Sequence, residues 1–96
     1  MNIVEYFVRA NLRRKIASRR EGIHDIDERV AEIGAQLETW TPKVNGASHQ
    51  PEWLVDKIAN LRSERAKLFV RKPRVEQDIV TLERELAEEY RKSRSV

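Results

Sequence analysis

Residues 16–40 read IASRREGIHDIDERVAEIGAQLETW, and this stretch has the most regular pattern in the chain. Apolar side chains recur every seven residues at two positions of the repeat. The first position holds Ile16, Ile23, Val30 and Leu37, and the second holds Leu12, Ile26, Ile33 and Trp40. Such a repeat places a narrow apolar stripe on one face of an α-helix, as in a coiled coil. We therefore predict a long helix 1 that buries this heptad stripe against another helix.

Helix 1 is predicted to run from about residue 2 to residue 40. Asn2 followed three residues later by Glu5 is the pattern of a capping box, which satisfies free backbone N–H groups at a helix start. Pro42 is expected to stop the helix, because proline lacks the N–H group that a helix interior needs.

Residues 41–50 form the predicted loop. Within it, Asn45-Gly46 is a turn signal. Trp40 and Trp53 flank the loop, and we expect their rings to pack on each other and close the end of the structure.

Helix 2 is predicted over residues 51–92, with Pro51 in its first turn. It repeats the heptad pattern with Leu54, Ile58, Leu61, Leu68, Val75, Ile79, Leu82 and Leu86. Pro73 lies in the middle of this pattern and removes the hydrogen bond to the carbonyl of Phe69. We predict a kink near Lys72. The alternative is a full reversal at that point, which would give a three-helix fold.

The charges lie in blocks that match when helix 2 folds back along helix 1. Residues 1–20 hold six basic and one acidic residue, and residues 75–90 hold one basic and six acidic residues. Residues 21–40 hold one basic and six acidic residues, and residues 57–74 hold seven basic and one acidic residue. A parallel pairing would not match opposite blocks so directly as an antiparallel one, and like-charge repulsion disfavours other registers. The predicted fold is thus an all-α, long antiparallel helical hairpin of coiled-coil type.

A second stripe of apolar residues runs beside the heptad stripe of helix 2. Its members are Val55, Ala59, Ala66, Phe69, Val80, Ala87 and Tyr90. Two helices cannot cover two stripes, so a further helix is expected to pack here. A second copy would give a four-helix bundle as a dimer, and a different protein could take the same place. The alternative is an exposed, alanine-rich surface.

Two glycines, Gly22 and Gly34, lie inside helix 1 beside the heptad stripe. Each costs about 1 kcal/mol relative to alanine in a helix interior. They are either surface glycines that the helix tolerates or places where a neighbouring helix approaches closely.

The composition bounds the class of protein. Ninety-six residues make one domain at most, and 36% charged with 6% aromatic residues leave little for a globular core. The chain has no cysteine, which fits a reducing compartment, so we predict a cytoplasmic location. No apolar run approaches the roughly 18 residues of a membrane helix, and no membrane partner is expected.

Known catalytic and metal-binding patterns are absent from the sequence. It has no P-loop, no glycine-rich dinucleotide turn and no Cys/His metal spacing, and His24 and His49 are isolated from each other. The acidic residues lie on predicted charged helix faces. We therefore predict no enzyme activity, no cofactor and no metal.

The basic segments 9–20 and 62–74 are the features that favour nucleic acid as a partner. Phosphate contacts without base reading would come from Arg13, Arg14, Arg20, Arg71 and Arg74. The competing interpretation of segment 9–20 is a basic face that pairs with the acidic residues 75–90 of helix 2.

The function that we predict is a non-enzymatic protein–protein interaction module: a coiled-coil adaptor, an assembly factor or a small inhibitor. Small cysteine-free helical proteins are common on phages and mobile elements, including inhibitors of host defence, so that origin is an expectation from frequency alone. The predicted partner-binding residues are Val55, Ala59, Ala66, Phe69, Val80 and Tyr90 of the second stripe. The alternative function is non-specific nucleic-acid binding.

Overall fold

Two long α-helices make up this fold. The structure is a computed structural model that describes residues 2–45 and 50–94. Helix α1 spans Ile3–Asn45 and helix α2 spans Glu52–Arg94, with no strand in the described ranges. The helices pack against each other as an extended helical hairpin, which confirms the predicted all-α antiparallel fold.

Helix α1 begins at the predicted cap. The Asn2 side-chain oxygen Oδ1 accepts a hydrogen bond from the backbone N–H of Glu5 at 2.8 Å, and the Asn2 carbonyl accepts one from Tyr6 at 3.1 Å. A cap of this kind stabilises a helix by about 1 kcal/mol. It keeps the first turns of α1 helical from Ile3 onward.

The sequence predicts that helix α1 stops at Pro42, but the helix continues to Asn45. The fixed φ angle of proline is compatible with a helix. This close to the helix end, proline destabilises the helix mainly through the missing hydrogen bond to the carbonyl of Glu38. Contacts of Trp40 hold this turn in place. The Trp40 ring lies edge-to-face with the Trp53 ring, with 6.1 Å between the ring centres, as predicted. The ammonium group of Lys43 lies 4.5 Å from the centre of the Trp40 ring. The predicted turn at Gly46, and His49, lie outside the described residues.

Helix α2 begins after Pro51, whose carbonyl accepts hydrogen bonds from Leu54 at 3.0 Å and Val55 at 3.2 Å. It then continues as one α-helix through Pro73 to Arg94. A full reversal at Pro73 is therefore wrong, and the kink near Lys72 stays a prediction.

Contacts divide the hairpin into two compact units. Unit 1 comprises Met1–His24 and Pro73–Val96, and unit 2 comprises Asp25–Lys72. Each unit contains one segment of each helix.

Unit 2 holds the better-packed core. Its buried cluster consists of Ile33, Leu37, Leu54, Ile58 and Leu61, with Trp40 and Leu68 packed against it. All seven belong to the heptad pattern, so the pattern correctly predicts which faces meet. Burial of an aliphatic side chain of this size contributes roughly 1.5–3 kcal/mol.

Unit 1 has a thinner core. Leu12 and Ile16 of α1 are buried, whereas the heptad residues that α2 contributes are only partly buried. These residues are Val75, Ile79, Leu82 and Leu86. Apolar surface therefore remains accessible between the two helix segments of unit 1.

Candidate interaction surfaces

A groove of about 490 Å³ lies between the two helix segments of unit 1. Four apolar side chains, two from each helix, form its floor: Ile16, Ala17, Leu86 and Ala87. Arg13, Arg20, Glu83 and Tyr90 complete the lining. Ala87 and Tyr90 belong to the second stripe, so this part of the stripe lines a concave surface.

Polar contacts bridge the two edges of the unit 1 groove. The guanidinium of Arg13 donates a hydrogen bond to the hydroxyl of Tyr90 at 2.5 Å. Arg20 Nη2 lies 3.4 Å from Glu83 Oε1, and both side chains are at least half exposed. Exposed pairs of this kind contribute about 0.2–1 kcal/mol each. Their main effect is to hold the charged edges in place beside an apolar floor.

Arg9, the first residue of the basic segment 9–20, is buried in unit 1. Its side chain is 7% exposed. Its guanidinium donates to the backbone carbonyl of Glu89 at 3.0 Å and lies 4.6 Å from the centre of the Tyr90 ring. The spacing of Arg9 to Leu12 and Ile16, three and seven residues on, was the signal that it shares their buried face.

The basic and acidic blocks do meet in unit 1. Besides the Arg20 pair, Arg19 Nε lies 3.8 Å from Asp78 Oδ2. In unit 2, Lys72 Nζ donates to Asp27 Oδ1 at 2.7 Å. These pairs join the segments that the charge pattern predicts to be neighbours.

In one ion pair of unit 2, the basic residue lies on α1 and the acidic residue on α2, which is the reverse of the charge blocks. Arg29 of α1 donates from Nη2 to Glu64 Oε1 of α2 at 2.9 Å, and a second bond joins its Nε to Glu64 Oε2. Arg29 Nη1 also donates to Glu32 Oε2 at 3.1 Å. Hydrogen bonds from Arg29 lower the pKa of the Glu64 carboxyl below its usual value, and its positive charge adds to the effect.

Unit 2 also has a groove, of about 850 Å³. Its lining consists of Gly34, Leu37, Glu38, Thr41, Pro42, Arg62 and Arg65. A Cβ atom added at Gly34 would meet no atom within 4 Å, and the same holds at Gly22. Neither glycine is therefore needed for close packing against the residues that the structure describes.

The second stripe is exposed in unit 2. Val55, Ala59 and Ala66 are exposed on α2, and the side chain of Phe69 is 56% exposed. Val70 is exposed to the same extent and was missed, although it follows Ala66 by four residues. In unit 1, Val80 is exposed, whereas Tyr90 is held by Arg9 and Arg13.

The residues predicted to bind phosphate have different surroundings. Arg13 and Arg20 line the unit 1 groove and have polar partners. Arg14 and Arg74 in unit 1 and Arg71 in unit 2 are exposed, and no ion pair joins them to any residue in the described ranges. All five arginines are thus exposed, and two of them have polar partners within the unit 1 groove.

A cluster of exposed apolar residues at the start of α1 was not predicted as a site. It consists of Ile3, Val4, Tyr6, Phe7 and Val8. The rings of Tyr6 and Phe7 contact each other edge-to-face at 5.7 Å. Because their positions do not follow the heptad repeat, these residues were predicted only as part of helix 1.

The described residues contain neither a candidate metal site nor a candidate membrane-spanning helix. Within residues 2–45 and 50–94 there is no group of three or more side chains that could hold a metal ion. Neither described helix is long and apolar enough to cross a membrane.

Comparison of the chain with protein-family models, curated proteins and solved structures finds no match.

Proposed function

We propose that this chain is a non-enzymatic protein–protein interaction module whose first partner is a second copy of itself. The observation that carries the proposal is the unit 1 groove. Its floor is apolar and receives side chains from both helices, and the small side chains of Ala17 and Ala87 allow a neighbouring helix to approach closely. A groove between two packed helices has the shape that a third helix fills.

A second copy fits this groove by charge as well as by shape. Basic Arg13 and Arg20 and acidic Glu83 lie along its edges. In a two-fold arrangement, each copy offers both signs of charge to the other, so the same surface is complementary to itself. The resulting assembly is a four-helix bundle of coiled-coil type.

The exposed second stripe in unit 2 offers a further surface for a larger protein. Val55 and Phe69, together with neighbouring Val70, are the large apolar residues there. Adaptor, assembly factor and small inhibitor are the roles that suit a charged helical hairpin of this kind. The same proposal includes an origin in a phage or mobile element, inhibition of host defence, and the cytoplasmic location expected from the cysteine-free sequence.

The molar mass in solution tests the proposal. We expect light scattering to give twice the chain mass for the wild type at micromolar concentration, and the chain mass for Ala17→Glu. Ala35→Glu is the matched control, since Ala35 is also exposed on α1 but lies outside the groove. A monomeric wild type, or an unchanged mass for Ala17→Glu, contradicts self-association through this groove.

Non-specific nucleic-acid binding is the second candidate. The observation that favours it is the exposure of Arg14, Arg71 and Arg74 without an ion pair to the described residues. Affinity for duplex DNA would then fall steeply with salt, with a slope set by the number of phosphate contacts. Absence of binding to DNA and RNA at low salt removes this candidate.

A further inference from the structure

The first turns of α1 carry an unusual amount of exposed apolar surface. Ile3 is 73%, Val4 70% and Phe7 64% exposed, and Tyr6 and Val8 are exposed as well. Isolated apolar residues on a surface are ordinary, but a contiguous group of this size marks a binding site. We propose that this segment, together with the basic residues that follow it, binds the surface of an anionic lipid bilayer.

The distribution of the apolar side chains around α1 favours a bilayer over a groove in a protein. At about 100° per residue, residues 3–8 place their five apolar side chains over about 200° of the helix circumference. Arg9 and Leu12 lie on the remaining side, where they are buried in unit 1. A helix that docks into a protein groove presents a stripe of about 100°. An apolar surface twice that wide fits a fluid hydrocarbon boundary, which closes around it.

Basic residues follow this cluster on the same side of α1. Arg14 and Lys15 are exposed, and no ion pair joins them to the residues that the structure describes. At about 100° per residue, both lie within the arc of the helix circumference that the five apolar side chains occupy. An interfacial helix lies in the plane of the bilayer with its long basic side chains extended to the headgroups, so Arg14 and Lys15 would reach the lipid phosphates. Tyr6 adds an aromatic ring with a polar end, which suits the same boundary.

A second copy of this chain does not fit the same segment. In a two-fold contact between two copies of residues 3–15, a parallel pairing would bring Arg14 and Lys15 of one copy towards those of the other, where like charges repel. An antiparallel pairing would place these charges against the apolar residues 3–8 of the other copy, which would leave them without a polar partner. Nucleic acid would satisfy the basic residues but would leave the aliphatic side chains Ile3 and Val4 in water.

Lipid binding of this kind does not require a spanning helix. An interfacial helix combines apolar burial with attraction to anionic headgroups, and its affinity depends on both. The site therefore makes two separate requirements, for apolar side chains and for positive charge.

Vesicle sedimentation tests the apolar requirement. We expect the wild type to bind vesicles that contain phosphatidylglycerol more tightly than vesicles of phosphatidylcholine alone, and less tightly as NaCl rises. The double variant Val4→Ser/Phe7→Ser should lose at least tenfold in affinity, because both side chains would otherwise enter the bilayer. Phe69→Ser/Val70→Ser is the control, since it removes equally large exposed side chains from α2 and should bind like the wild type.

A second pair of variants tests the charge requirement. One basic residue near an anionic bilayer is worth about fivefold in affinity, so Arg14→Gln/Lys15→Gln should lose about 25-fold. Arg62→Gln/Lys67→Gln, which removes two exposed charges from unit 2, should change the affinity little. Circular dichroism should show the same helicity in all four variants, because every substituted side chain is at least partly exposed.

Three results would overturn the proposal. The first is no binding to anionic vesicles at low salt. The second is an equal loss of vesicle affinity in a test variant and in its control variant. The third is a dimer that becomes monomeric in Val4→Ser/Phe7→Ser while vesicle binding stays unchanged, which would assign the apolar cluster to self-association. Because the groove variant Ala17→Glu should keep wild-type vesicle binding, the two proposals fail independently.

Discussion

Arg29 and Glu64 are joined by two hydrogen bonds, and each is the one residue of its charge in its own segment. Residues 21–40 are otherwise acidic among their charged members, and residues 57–74 are otherwise basic. The two exceptions to the charge blocks thus pair with each other. In another register of unit 2, Arg29 would find no other acidic residue in segment 57–74 and Glu64 no other basic residue in segment 21–40, so this pair favours one alignment of the helices.

A charge exchange tests the role of this pair. Arg29→Glu and Glu64→Arg should each lower the melting temperature by a few degrees, since each places like charges together. The double variant should recover most of the loss, because it restores opposite charges. Thermal unfolding followed by circular dichroism measures all four proteins. Additive losses in the double variant would mean that the pair does not select the register.

The same pair predicts a dependence of stability on pH. The pKa of Glu64 is lowered in the folded state from its ordinary value of 4.5, so the unfolded state binds the proton more tightly. The stabilisation is therefore complete above about pH 4.5 and is lost as pH falls through the lower pKa of the folded state. The melting temperatures of wild type and Glu64→Gln should differ at neutral pH and converge in acid. A difference that persists unchanged below the folded pKa contradicts this assignment.

The two glycines of α1 predict a gain in stability. Gly22→Ala and Gly34→Ala should each stabilise the fold by about 0.5–1 kcal/mol, because a methyl group meets no atom at either position and alanine favours the helix. Urea unfolding measures the effect. Ala31→Gly, at an exposed position of α1, is the reverse control and should destabilise by a similar amount. A loss of stability at Gly34 would show that a second copy approaches the unit 2 groove there.

The difference in burial along α1 predicts the effects of truncation. Ile33 is completely buried in unit 2, so Ile33→Ala should destabilise by about 2–5 kcal/mol. Ile3→Ala should change stability by no more than about 0.5 kcal/mol, because its side chain is largely exposed. Denaturant unfolding compares the two variants. A large effect at Ile3 would mean that its side chain is covered in solution.

Heptad spacing and charge blocks were sufficient to predict the hairpin. The helix cap at Asn2, the buried face around Ile33 and the Trp40–Trp53 contact all follow from local spacing. The exposure of the second stripe in unit 2 also follows, because its members there lie outside the heptad stripe that packs on α1.

Other features depend on tertiary contacts that spacing does not reveal. Pro42 stays within α1 where Trp40 contacts support that turn, although its chemistry predicts a stop. Arg9 is buried because Tyr90 and the carbonyl of Glu89 receive its guanidinium, and both lie 80 or so residues away. The unit 1 groove lies where the heptad residues of α2 are only partly buried, and no linear pattern shows this.

The concentration dependence of thermal unfolding tests the central claim, self-association through the unit 1 groove, most directly. A protein stabilised by a second copy unfolds at a higher temperature as its concentration rises. We predict that the melting temperatures of the wild type and Ala35→Glu rise with concentration, whereas that of Ala17→Glu does not. A melting temperature of the wild type that is independent of concentration over the micromolar range would contradict the claim.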